Sequence, residues 1–110
     1  MIGSPGDLVV EIAWIINPFR GDKFLEVWEP VAEASLDFGA TAQTLIRSQT
    51  DPAKFFQYST WPDKVSFERY WISEEVSEAR AKINGWYVLP ILPEWHKVVT
   101  AGATVPEPSA

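Results

Sequence analysis

The chain has 110 residues, six Trp, no Cys, 46% hydrophobic residues and a formal net charge of −6. That length is one domain with room for a core. The lack of Cys excludes disulfides, thiolate nucleophiles and Cys-ligated metals, and an acidic chain without any Lys/Arg cluster lacks the basic footprint that nucleic acid or an anionic membrane requires.

The first six residues, rich in Gly, Ser and Pro, read as a flexible N-terminus without the basic region and apolar run of a signal peptide. No apolar run approaches the roughly 20 residues of a membrane span, so a soluble cytoplasmic protein is expected. Residues 7–16 (DLVVEIAWII) have strand composition and two unlike faces. Leu8, Val10, Ile12, Trp14 and Ile16 are all apolar, whereas Val9, Glu11, Ala13, Ile15 and Asn17 are mixed. That contrast predicts a sheet covered by helices on one side.

Asn17-Pro18 and Gly21 break the strand, and a helix is expected over 22–36, with Phe24, Trp28, Val31 and Ser35 at helical spacing and Glu26, Glu29 and Glu33 on the wet side. Pro30 inside it removes a backbone donor and predicts a kink or break. Residues 40–49 and 54–60 read as two strands joined at Asp51-Pro52, an antiparallel hairpin. Pro62 is expected at the first position of a second helix, with Asp63 in its first turn and Ser73 interrupting and recapping it before Asn84-Gly85. Residues 86–93 hold two prolines and read as an extended crossing rather than a central strand. Residues 94–101 form the last strand, and 102–110 a flexible tail.

The order β-α-β-β-α-β admits a split β-α-β arrangement: a ferredoxin-like α+β fold, with a four-stranded antiparallel sheet and both helices on one face. The bare face is too apolar to stay open. Two such faces packed together give a homodimer with the mixed faces inside.

Trp61 at a strand end, Pro62-Asp63-Lys64, Phe67, Tyr70-Trp71, Ser73, the Ala-rich stretch 76–83, Pro90 and the final Trp95-His96-Lys97-Val98-Val99 together resemble the dimeric α/β-barrel superfamily, and within it the antibiotic-biosynthesis-monooxygenase-like group. The resemblance covers residues 8–100. It implies a dimeric α/β barrel and, among several activities of the superfamily, oxygen insertion into an aromatic or polyketide-like metabolite without metal or other cofactor. The haem-degrading branch fits poorly. Its helical Trp matches Trp71, but its haem-ligating His falls at Arg80 and its first-strand Asn near Trp14.

No zinc, phosphate-loop, dinucleotide or nucleophile-elbow motif occurs. His96, the one imidazole, reads either as a proton acceptor for a bound phenol or enol or as a half-exposed strand residue. Glu11 is costly to bury alone within an apolar strand. Its expected partners on the mixed face are Arg47, Gln43 and Gln57, as a polar cluster that orients a substrate with Glu11 as base, or as a structural Glu11–Arg47 pair. Trp14, Trp61, Trp71, Trp86, Phe55, Phe56 and Tyr58 read either as an aromatic pocket for a flat ligand or as core and dimer contacts. Three functions stay open: a cofactor-independent monooxygenase, a cyclase or isomerase on the same scaffold, and a non-catalytic ligand-binding or dimerisation module.

Overall fold

The computed structural model describes residues 3–88 and 91–104. Four strands, β1 (Leu8–Ile15), β2 (Ala42–Arg47), β3 (Lys54–Trp61) and β4 (Glu94–Lys97), form one antiparallel sheet in the order β2-β3-β1-β4. Helices α1 (Gly21–Ala34), α2 (Lys64–Trp71) and α3 (Glu74–Ile83) pack on one of its faces, as the ferredoxin-like topology requires.

The period-2 contrast in β1 sets which face that is. Val10, Ile12, Trp14 and Ile16 are buried under the helices. Trp14 meets Phe24 at 5.1 Å and Trp28 at 5.0 Å between ring centroids, and Phe24 meets Phe55 of β3 at 4.8 Å. Each such ring removes large apolar area from water and prefers these tilted contacts over a face-to-face sandwich. Trp61, Phe67, Tyr70 and Trp95 close the other end of the layer.

A polar chain runs through this core. The Trp28 indole N–H donates to Gln57 Oε1 (2.7 Å), Gln57 Nε2 donates to the Tyr70 hydroxyl (3.2 Å), and that hydroxyl donates to the Val31 carbonyl (2.8 Å). All three side chains are fully buried. Burial drives the Tyr70 phenol up to about 12, partly opposed by the Gln57 bond and aided by Glu75.

Pro30 neither breaks nor ends α1, which runs unbroken from Gly21 to Ala34. Pro30 is exposed, so the Glu26 carbonyl it leaves without a helical donor faces water. The helix then tightens into a 3₁₀ turn, Ser35–Phe38, and stops at Gly39, whose φ of 108° suits glycine. The second helix begins later than its Pro suggests. Asp63 is its N-cap, with an extended backbone and a carboxylate accepting from Ser66 N–H at 2.8 Å, and Pro62 lies outside. A side-chain cap satisfies an orphan donor, which Pro cannot do. Ser73 divides α2 from α3: its hydroxyl donates to the Tyr70 carbonyl and accepts from Val76 N–H.

The expected hairpin is present, with Lys54 N–H on the Asp51 carbonyl and Ser48 N–H on the Lys54 carbonyl. The crossing after α3 does touch the sheet. Tyr87 bridges to Ile16, and Val88 N–H donates to the Ile15 carbonyl, extending the β1 edge beyond β4. β4 is shorter than its composition implies. Pro90 and residues 105–110 lie outside the described residues.

Candidate active site on the open sheet face

Strand register decides which side chains meet. Glu11 pairs with Tyr58 of β3 and with Glu94 of β4, while Val9 pairs with His96. All five therefore project from the face that the helices leave bare. His96 Nε2 lies 3.6 Å from Glu11 Oε1 and 4.0 Å from Glu94 Oε2. The Tyr58 side chain lies beside the Glu11 carboxylate, its register partner across the β1–β3 pair. Burial first, then the neighbouring Glu11 carboxylate, hold the phenol above its ordinary value, so Tyr58 keeps its proton.

Glu11, Tyr58 and His96 border an open groove of about 650 Å³. Val9, Glu11, Tyr58 and His96 form its floor, and the chain after β4 forms a wall with Val98 and Val99. Gly6 N–H on the Val98 carbonyl and Val98 N–H on the Asp7 carbonyl tie that wall to the chain before β1. Away from the groove Phe56 stacks on Tyr58 (6.3 Å), and Ala13, Thr44 and Ile46 are exposed. The groove offers a mainly apolar surface for a flat ligand with polar atoms at one end, the usual composition of a small-molecule site.

Glu11 and His96 come together, joined by Tyr58. The other residues expected with them do not. Gln43, Arg47 and Gln57 project from the helix-covered face, because their register partners are Ser59, Phe55 and Ile12. Gln57 is a hub of the buried chain in the core. Arg47 clamps the start of α1: Nη1 bonds Asp22 Oδ1 and Nε bonds the Pro52 carbonyl, both at 2.8 Å, with the guanidinium over Phe55. A Cβ at Gly21 would meet that guanidinium, so a larger residue there would have to displace the flexible end of Arg47. A Glu11–Arg47 pair is ruled out by this geometry.

Trp14, Trp61 and Phe55 are core residues under the helices and cannot line a cavity on the open face. Trp71 lies in the helical layer against Trp28, and Arg80 stands over its ring at 4.7 Å. Trp86 packs at the edge of the core with Arg20 over its ring. The residue that sequence reasoning missed is Glu94. Its signal was Glu-x-His, since residues two apart on a strand share a face.

No protein-family model matches the chain, and no curated protein matches it. Solved structures do. A crystal structure described as an antibiotic biosynthesis monooxygenase (ABM) superposes with a TM-score of 0.76 over 84% of this chain and 98% of its own, at 22% identity. This is the ABM-like fold. A Nitrosomonas europaea protein, provisionally named antibiotic biosynthesis monooxygenase, shares it with a TM-score of 0.79 over 92% of this chain and 100% of its own, at 14% identity. Rv0793 from Mycobacterium tuberculosis matches at 0.75 over 88% of this chain and 99% of its own, at 10% identity. At such identities the ABM-like likeness concerns the arrangement of elements and not particular side chains. Among the described residues no helix is long and apolar enough to cross a membrane.

Proposed function

We propose that the protein is a homodimeric enzyme of the ABM type. It binds a flat phenolic or polyketide-like metabolite on the open sheet face, and Glu11 with His96 takes the proton of the substrate hydroxyl. The observation that carries this reading is the convergence of Glu11, His96 and Tyr58 in a mainly apolar groove. The exposed Ala13 and Ile46, beside Phe56, favour a second sheet packed over the groove, which would exclude water from it.

In a dry groove a phenolate is electron-rich enough to pass one electron to O₂. Recombination at a ring carbon gives a hydroperoxide, and loss of water leaves a quinone: one phenol and one O₂ yield one quinone and one H₂O. The protein's part is to orient the ring, remove the hydroxyl proton and keep water away. Tyr58, protonated beside Glu11, also equips the site as a donor–acceptor pair, which a cyclase or isomerase would use without O₂.

Oxygen consumption with a panel of naphthols and anthrone-like phenols tests the reading. Uptake matched to quinone formation, lost in Glu11→Gln with the fold intact, is expected. Turnover without oxygen uptake assigns the site to isomerisation or cyclisation. Full activity in both Glu11→Gln and His96→Ala refutes the assignment of the base.

A further inference from the structure

We propose that Glu11, Glu94 and His96 form a binding site for a first-row divalent transition-metal ion. The three side chains come from two neighbouring strands. Glu11 and Glu94 are opposite one another in register, and His96 follows Glu94 by two residues, so all three leave the sheet on the same side. One ligand atom from each lies within 4.8 Å of the others.

The geometry is close to what a metal needs. Ligands about 2.1 Å from a tetrahedral ion stand about 3.4 Å apart. His96 Nε2 is 3.6 Å from Glu11 Oε1 and 4.0 Å from Glu94 Oε2, so small side-chain rotations bring the set to bonding distance. The charge balance also favours a cation. Two carboxylates facing each other across neighbouring strands repel, and a dication between them converts that repulsion into attraction. An imidazole with two carboxylates suits zinc, iron or nickel better than calcium or magnesium, which prefer all-oxygen shells. Tyr58, the register partner of Glu11 on β3, stands beside that carboxylate where an outer contact could orient it. The groove leaves the remaining coordination positions open to water or a small molecule.

This inference goes beyond the proposed reaction and does not rest on it, because cation binding is read with no substrate present. The chain contains a single His, so its ring signals in an NMR spectrum need no assignment. The experiment titrates the untagged, chelator-treated protein with Zn²⁺, following the imidazole nitrogens and measuring bound metal by equilibrium dialysis. Expected are a shift of one ring nitrogen that saturates at one Zn²⁺ per chain, and at least about ten-fold weaker binding in Glu94→Gln and in His96→Ala. Glu94 and His96 are exposed on the edge strand, so both variants are expected to fold. An unmoved imidazole at saturating Zn²⁺, unchanged affinity in His96→Ala, or equal binding of Ca²⁺ overturns the proposal. None of these results bears on whether Glu11 serves as a base in the metal-free protein.

Discussion

Gln57 tests whether the buried polar chain is structural or part of a site. Its amide accepts the Trp28 indole N–H at 2.7 Å and donates to the Tyr70 hydroxyl at 3.2 Å, inside a core with no exposure at Gln57. Gln57→Leu removes both bonds. Tyr70 keeps the Val31 carbonyl as acceptor, so its hydroxyl stays satisfied. Trp28 keeps nothing. An orphaned buried donor costs about 1–3 kcal/mol, offset in part by burying Leu in place of an amide. A net loss of about 1–2 kcal/mol is expected, a sizeable share of the roughly 5–15 kcal/mol that holds a domain together. In a Trp28→Phe background there is no N–H to orphan, and the same substitution should cost about 1 kcal/mol or less. Urea unfolding of the four proteins, followed by far-UV circular dichroism, closes the double-mutant cycle. The expected coupling is about 1 kcal/mol. A coupling below about 0.5 kcal/mol, or a Gln57→Leu variant of wild-type stability, would refute the reasoning.

Three further outcomes follow from particular residues. Tyr70 has a folded-state value near 12 against an ordinary 10.0, so the unfolded chain loses that proton first. Its contribution is complete below about pH 10 and is lost as the pH rises to about 12, a fall of about 3 kcal/mol that Tyr70→Phe should lack in unfolding measured across that range. Phe19 holds φ at 67° and is wholly exposed. Phe19→Gly should raise stability by about 0.5–1 kcal/mol, the relief of a left-handed residue less the entropy of glycine, and a lower denaturation midpoint would contradict this. Ala13 is exposed opposite Phe56 at the centre of the open face. If two such faces pair, Ala13→Arg sediments as a monomer where the wild type sediments as a dimer; a monomeric wild type removes the paired-sheet proposal.

Much of the fold was legible because burial writes a period into the chain. The all-apolar series from Leu8 to Ile16 announced one covered face, and Phe24, Trp28 and Val31 announced the helix that covers it. Ser73 was readable as a cap because a short hydroxyl before two Glu has few better uses. β3 was harder. Phe55, Gln57, Ser59 and Trp61 on one side and Phe56, Tyr58 and Thr60 on the other are both mixtures, so polarity did not say which faced the helices. A buried Gln looks like a surface Gln until its partners, Trp28 and Tyr70, arrive from other elements. Asp63 shows the local version of the same difficulty: two residues competed to open α2, and the cap with a hydrogen bond won.

By itself the sequence determined the order of elements, the apolar face of β1 and the presence of one acid, Glu11, on its other side, since these depend only on local period and composition. Tertiary structure decided the company Glu11 keeps. Register between strands is a long-range property, and a shift of one residue moves every side chain of a strand to the opposite face. The pairing of β3 with β1 and β2 placed Gln57, Gln43 and Arg47 under the helices, and the pairing of β1 with β4 set His96 and Glu94 beside Glu11.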